Sequence, residues 1–124
     1  VEGSDPKHSF NYTGTDGSLY VFEAPIDLLS YISLYPSDWQ SHSYVACCGT
    51  SIQPVLEQLR RQDIDSVYLC LDNDAAGQKA TQRMEAKLSE RGVYVEIVVP
   101  TLKDWNDDLQ KEVQEWNQTS GLSL

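Results

Sequence analysis

The sequence predicts an α/β fold of three layers, in which helices cover both faces of an open four-stranded parallel sheet and a short N-terminal edge strand or hairpin is added. Three observations carry this. Short apolar runs alternate with stretches of helical periodicity along most of the chain, the pattern that builds parallel sheets through right-handed crossovers. The runs Leu19–Phe22, Ser43–Cys48 and Ser66–Leu71 are continuously rather than alternately apolar, as strands covered on both faces are. The chain has 124 residues, 40% hydrophobic and 23% charged, enough for one core and not two.

Residues 1–18 are polar and turn-rich and read as an extension, with His8–Tyr12 a short edge strand and Thr15-Asp-Gly-Ser18 a turn into the first parallel strand. Leu19–Phe22 is that strand, and it stops at Glu23. Pro25 suits the first turn of a helix, whose apolar face would be Ile26, Leu28, Leu29 and Ile32. A loop over Tyr35–Ser43 leads to the second strand, Ser43–Cys48. Ser51 is placed to cap a helix with Pro54 in its first turn and Ile52, Val55, Leu56 and Leu59 as its core stripe. The third strand, Ser66–Leu71, runs into Asp72-Asn-Asp-Ala-Ala-Gly77. A helix follows to about Arg91, with Ala80, Met84 and Leu88 stacked on one face and Gly92 as its stop. Val93–Val99 is the fourth strand, Pro100–Trp105 a loop, and Asp104 or Asn106 the cap of a last helix with Leu109, Val113 and Trp116 inside. The domain proper is expected over 19–118 and a frayed tail over 119–124. The chain opens on Val1 without a starting Met and reads as a piece of a larger protein.

Lys and Arg number 9 against 19 Asp and Glu, a net charge of −10. Phosphate-backbone binding rests on cationic side chains, so a polyanionic substrate would need bound cations or a basic neighbouring domain. No run of 18 apolar residues exists, which excludes a transmembrane helix. Cys47, Cys48 and Cys70 lack zinc or disulfide spacing and read as buried reduced thiols of a cytoplasmic protein.

Sites in open parallel sheets lie beyond the carboxyl ends of the strands, beside a switch in strand order. Glu23 ends the first strand, and Asp72 and Asp74 follow the third. If those strands are neighbours the order is 2-1-3-4 and the three carboxylates share one crevice. Packed together they repel and raise one another's pKa unless a cation lies between them. Hard oxygen donors in an open crevice suit Mg²⁺, which keeps several waters and bridges to phosphate. In Asp72-Asn-Asp74 the alternate side chains of extended backbone face one way. The small Ala75-Ala76-Gly77 lets a phosphate approach a helix N-terminus, and Lys79 is placed to neutralise it. Asp63-Ile-Asp65 has the same spacing but precedes its strand, so it falls at the opposite sheet edge with no function beyond capping and solubility. Simple helix capping accounts for acidic residues at these positions without any chemistry, at about 0.3–1 kcal/mol each. Asp27 is as well explained that way as by a role in a site, and Lys79 by a solvated helix face. Tyr68 and Tyr94 read as core or half-buried strand positions.

These residues resemble a known family. Glu23-Ala-Pro-Ile-Asp27 is similar to the first motif of Toprim domains, with Ala24 where bacterial primases have Gly. Leu71-Asp72-Asn-Asp74-Ala-Ala-Gly77-Gln-Lys79-Ala80 resembles the Toprim Asp-x-Asp motif in its primase-like form. Pro100-Thr-Leu-Lys103-Asp104-Trp-Asn-Asp107 resembles the Lys-Asp-Pro-Asp-Glu segment of primases, with Trp105 for Pro. Toprim-like domains of plasmid and mobile-element proteins of Gram-positive gut bacteria look most similar. The resemblance implies a Rossmann-like Toprim fold and a Mg²⁺-dependent site, with Mn²⁺ as a substitute, acting on phosphodiesters. It implies Glu23 as general acid/base or further metal ligand, Asp72 and Asp74 as metal ligands, and Gly77, Lys79 and Lys103 toward phosphate. Asp27 and Asp104 would be supporting residues. The implied partners are DNA and nucleotides, reached through other domains of the parent protein, and no membrane. Primase-like nucleotidyl transfer is favoured over nuclease action.

Other phosphate-handling folds fit less well. A phosphoacceptor receiver needs an acidic pair after its first strand and a fifth strand followed by Lys. A haloacid-dehalogenase-type phosphatase carries its Asp-x-Asp after the first strand. No Gly-x-Gly-x-x-Gly or Gly-x-x-x-x-Gly-Lys occurs. The serious rival is a catalytically silent Toprim fold used for docking.

Overall fold

The computed structural model describes residues 9–120. A single five-stranded sheet is built from β1 (Phe10–Tyr12), β2 (Ser18–Phe22), β3 (Ser43–Ala46), β4 (Ser66–Leu69) and β5 (Tyr94–Ile97). Helices α1 (Pro25–Leu34), α2 (Gln53–Arg61), α3 (Ala75–Glu90) and α4 (Trp105–Ser120) flank it. The strand order is β1-β3-β2-β4-β5. Strands β3, β2, β4 and β5 are parallel, with Val21 beside Val45 on one side and Leu69 on the other, and β1 joins β3 antiparallel. The expected order of the parallel strands and the added edge strand are both present. Residues 1–8 of the expected extension, His8 included, and 121–124 of the expected 119–124 tail lie outside the described residues, and Thr119 and Ser120 belong to the last turn of α4.

Each face of the sheet has its own core. One joins Leu19, Val21, Val45, Val67, Leu69 and Leu71 to Val55 of α2 and to Ala80, Met84 and Leu88 of α3. The other gathers Phe22, Tyr44, Ala46 and Cys70 under Leu28 of α1 and Trp105 of α4. Tyr20, flanked by Tyr44 and Tyr68 at ring-centroid distances of 5.6 and 4.6 Å, carries an aromatic ladder across the sheet beneath α1. Burial there pushes the Tyr20 hydroxyl up to about 12.

Local chemistry explains most boundaries. The turn before β2 is closed by the Asp16 carboxylate, which accepts from the Ser18 N–H at 3.0 Å, and by Gly17 at φ 81°. Gly92 at φ 78° ends α3, where only a residue without Cβ adopts the left-handed turn freely. The Ser51 hydroxyl accepts from the Gln53 N–H at 3.2 Å, but the cap position itself falls to Ile52. The first turn of α4 is capped by Asp104, whose Oδ1 accepts from the Asp107 N–H at 2.8 Å, so Trp105 begins the helix instead of ending a loop.

Four expectations are corrected. The inner face of α1 is Asp27, Leu28 and Ser30, while Ile26 and Leu29 are exposed. On α4, Val113 and Trp116 are exposed. Both errors have one cause: α1 and α4 pack on each other through polar and aromatic groups near the sheet edge, so apolar periodicity does not mark the contact. Ser30 Oγ donates to Asn106 Oδ1 at 3.5 Å, Asp27 Oδ1 accepts from the Asn106 N–H at 3.2 Å, and Tyr31 meets Trp105 edge-on at 4.9 Å. Cys48 is exposed, unlike Cys47 and Cys70, because it follows β3 in a left-handed turn at φ 55°. Tyr94 is exposed, because β5 is an edge strand.

Candidate functional site

The parallel strands deliver their following residues to one edge of the sheet. Strand β2 ends at Phe22, paired with Ala46, and Glu23 comes next. Strand β4 ends at Leu69, paired with Val21, and Cys70, Leu71 and Asp72 continue from it. One oxygen of Glu23, Oε2, accepts from the Asp72 backbone N–H at 2.9 Å. The two candidate residues therefore touch across a strand boundary, although 49 positions separate them in sequence.

Asp74 is the N-cap of α3, its Oδ1 accepting from the Gly77 N–H at 2.8 Å. The helix-capping explanation for Asp74 thus describes half of its carboxylate. Gly77 is required for a different reason. A Cβ there would lie 2.1 Å from the Asp72 carbonyl oxygen and 3.0 Å from Glu23 Oε2. Only glycine lets the first turn of α3 press this closely on the two acidic residues.

Asp72 is the electrostatic centre of the crevice. Burial, and then the charges of Glu23, Asp27, Asp104 and Asp74, push its pKa up to about 7. Its Oδ1 is fully buried and has no hydrogen-bond partner, an arrangement native structures rarely leave without a reason. Asp27 is almost fully buried, and its pKa is raised by burial, with the Asn106 N–H opposing the shift. Asp104 is committed to capping α4.

The donor set fits a hard divalent cation. It consists of carboxylates alone, with Glu23 and Asp74 each spending one oxygen on a backbone N–H and Asp72 Oδ1 unpartnered. Repulsion among these charges is what such an ion relieves. Among the described residues no group of three or more His, Cys, Asp or Glu side chains is already arranged to hold an ion, so closure on a metal would need side-chain rotation.

Lys79 and Lys103 are exposed, and neither makes an ion pair among the described residues. Lys103 contributes its backbone instead, its carbonyl accepting from the Asn73 N–H at 2.7 Å. Asp63 and Asp65 lie at the far edge, where the Asp65 N–H donates to Gly17 O and the side chain accepts from Ser66.

Three residues that shape the crevice were not among the candidates. Asn73, the middle of Asp-x-Asp, donates from Nδ2 to the Pro100 carbonyl at 3.3 Å and so pins the 100–104 loop beside Asp72. Asp108 accepts from the Thr101 and Leu102 N–H groups, both at 2.8 Å, and holds the same loop from α4. Trp105, only 2% exposed, donates from Nε1 to the Cys70 carbonyl at 2.9 Å and fastens α4 to the end of β4. An indole at the head of a helix, among polar residues, was the available signal for Trp105. Asn73 and Asp108 gave none beyond their place in the motifs.

Comparison with known proteins agrees with this architecture. The Toprim-like family profile matches residues 20–109. The DNA primase of Mycoplasma pneumoniae is 30% identical over 112 residues, covering 88% of this chain and 16% of that protein. An uncharacterized protein of Mycoplasma genitalium is 25% identical over 95 residues, covering 74% of this chain and 41% of its own length. The chain therefore spans less than half the length of these curated relatives. Among solved structures, the primase fragment of the bacteriophage T7 primase-helicase protein superposes with a TM-score of 0.57 at 21% identity, covering 83% of this chain and 44% of that one. That likeness is one of fold.

Proposed function

The chain belongs to the Toprim-like family, and from that premise we propose that it is the catalytic Toprim domain of a larger DNA-processing protein, carrying out Mg²⁺-dependent, primase-like nucleotidyl transfer. The observation that carries this reading is Asp72: a buried, unpartnered carboxylate oxygen at the carboxyl edge of the sheet, hemmed in by four other acidic groups. Without a cation this arrangement only destabilises the fold. The similarity to bacterial DNA primases supports nucleotidyl transfer over other reactions.

Asp72 and Asp74 would hold the ion, with Glu23 as a further ligand or as the general acid/base. Bound Mg²⁺ would supply charge neutralisation at the phosphoryl oxygens and orientation of the attacking or leaving oxygen. In the acid/base role, Glu23 would take the proton from a nucleotide 3′-hydroxyl through its second oxygen, Oε1, while Oε2 stays on the Asp72 N–H. Gly77 would act by letting the first turn of α3 close on Asp72 and Glu23, so that a phosphate held at the carboxylates lies near that helix N-terminus. Lys79 and Lys103, both exposed and without ion pairs among the described residues, would offset its charge, with Asp27 and Asp104 supporting from the α1–α4 side. A cavity of about 170 Å³ lined by Asp72, Gln78, Thr81, Gln82, Ile97 and Val99 adjoins the crevice and gives a substrate group room beside the carboxylates.

The test is nucleotidyl transfer by the parent protein. Glu23→Gln and Asp72→Asn should each reduce turnover by about 100-fold or more, with an unchanged fold, and Asp65→Asn should leave it intact. Wild-type turnover in the first two would sink the assignment. A silent docking module is the second reading, favoured by the absence of a preformed ion-holding group among the described residues. A titration with Mg²⁺, then Mn²⁺, read by amide chemical shifts or paramagnetic broadening, separates the two. Changes centred on Glu23, Asp72, Asp74 and Gly77 support catalysis; diffuse changes that include Asp63 and Asp65 support docking. A nuclease would use water in place of the 3′-hydroxyl and would cleave DNA under the same conditions.

A further inference from the structure

The nine basic residues of this acidic chain are not spread evenly. Lys79, Arg83, Lys87 and Arg91 recur at every fourth position along α3 and its C-cap, which places them on one side of the helix, about 6 Å apart and about 18 Å from end to end. All four are exposed, and none forms an ion pair among the described residues. In a chain with twice as many acidic as basic groups, four successive uncompensated cations are unexpected for a merely solvated surface. On the other two helices that carry cations they are matched: Arg60 and Arg61 both bond Glu57, and Lys111 lies 3.8 Å from Glu115; Lys103 in the 100–104 loop is the other described cation without an ion pair.

Three of the four, Arg83, Lys87 and Arg91, border a groove between α3 and α2. Its upper part is a cavity of about 190 Å³ lined by Thr50, Ser51, Ile52, Arg83, Met84 and Lys87. Its lower part, about 310 Å³, shares Ile52 and Lys87 and adds Leu56 and Arg91. The upper end opens at the loop after β3, where the Gly49 N–H donates to the Glu23 carbonyl at 3.0 Å. The groove therefore starts at the same sheet edge as the carboxylate crevice and runs away from it down the α2–α3 face.

We propose that this groove binds the phosphate backbone of a single nucleic-acid strand, with Arg83, Lys87 and Arg91 contacting phosphates in succession as the strand leaves the crevice. Continuity with the crevice favours a nucleic-acid strand over an acidic protein segment. Single-strand binding sites combine a cationic groove with surfaces for the bases, and here the partly apolar floor of Ile52, Leu56 and Met84 is the surface available. Glu90, on the groove's lower rim, opposes binding and marks the weaker end. The choice of nucleic acid as the occupant rests on the proposed function, whereas the groove's affinity for it does not require the metal.

The experiment is therefore done in EDTA. Binding of a fluorescein-labelled oligo-dT strand is followed by anisotropy between 20 and about 200 mM salt, with a poly-glutamate peptide as second probe. The expected result is salt-sensitive binding of the DNA, weakened about 10-fold or more at the lowest salt in Arg83→Glu/Lys87→Glu/Arg91→Glu. In Arg83→Gln/Lys87→Gln/Arg91→Gln the slope of log K against log salt should fall by about 2, from three lost contacts at about 0.7 each. Lys111→Glu should bind like wild type. Both triple variants change only exposed side chains, and circular dichroism checks that they fold. No detectable binding at 20 mM salt, equal binding by wild type and triple variants, or preference for the peptide would each overturn the proposal. Glu23→Gln and Asp72→Asn should retain this binding while losing turnover: turnover that survives in them would sink the catalytic reading alone, and binding left unchanged in the triple variants would sink the groove alone.

Discussion

Asp72 carries the sharpest consequence of single-residue chemistry. Its carboxyl ionises near 7 in the fold against 3.8 ordinarily, so the folded state holds the proton more tightly than the unfolded chain. Below about pH 4 both states are protonated and the residue is neutral to stability. Between there and 7 the domain loses stability as pH rises, and above 7 the whole penalty is present. Asp72→Asn should therefore raise the midpoint of thermal unfolding at pH 8 and leave it nearly unchanged at pH 4. The gain should be about 1–2 kcal/mol, below the full linkage because the crevice is open to solvent and counterions. Millimolar Mg²⁺ at pH 7.5 should stabilise the wild type and do little for Asp72→Asn; equal stabilisation of both would argue against an ion at this residue. Gly77→Ala is the steric counterpart. With a Cβ 2.1 Å from a backbone oxygen, the start of α3 must move, and a loss of about 2–3 kcal/mol is expected in a urea titration. An unchanged midpoint would mean that the close approach is not needed.

At the scale of elements, strands and helices were legible because their signals are strong and local. Continuous apolar runs marked β2, β3 and β4, Pro25 and Pro54 marked helix starts, and Gly92 marked a stop. The stripe Ala80, Met84 and Leu88 was right because α3 packs on a flat apolar sheet. The faces of α1 and α4 were not legible, because the two helices meet through Asp27, Asn106, Tyr31 and Trp105, and Ile26, Leu29, Val113 and Trp116 face outward. The crevice was partly legible. Position at strand ends brought Glu23 and Asp72 together, but the loop that Asn73 and Asp108 hold depends on backbone partners that no side-chain pattern announces. Trp105→Phe tests the fastening of α4. It keeps the ring in the core but strands the Cys70 carbonyl, so a loss of about 1–2 kcal/mol is expected. Hydrogen exchange should speed up first at the 100–104 loop and the first turn of α4; uniform loosening would place the role of Trp105 in bulk packing alone.

For the whole molecule the governing quantity is a net charge of −10, unevenly placed. The α2–α3 face carries Arg83, Lys87 and Arg91 without ion pairs among the described residues, while the first turn of α4 carries Asp107 and Asp108 and its later turns Glu112 and Glu115. Self-repulsion of this kind opposes compactness and is screened by salt. Raising NaCl from 20 to about 200 mM should lift the thermal midpoint of the wild type by a few degrees. The gain should be smaller in Asp72→Asn, whose substitution removes one member of the densest cluster. A midpoint that falls or stays level with salt would mean that local pairing outweighs the net charge. No helix among the described residues is long and apolar enough to cross a membrane, and the family likeness covers residues 20–109, so the strand at the N-terminal edge adds to the sheet from outside the matched region.

The bond between Trp105 and the Cys70 carbonyl also makes the protein its own optical gauge. The three indoles occupy different surroundings: Trp105 is buried, Trp39 is half-buried and Trp116 is exposed. Only the Trp105 ring is bonded to the strand that continues into Asp72. Occupation of the crevice should perturb the surroundings of that carbonyl and with them the blue-shifted part of the emission, while the red-shifted part from Trp116 should stay as an internal reference. Events at the acidic edge can then be followed in the unlabelled protein, by colour rather than by turnover.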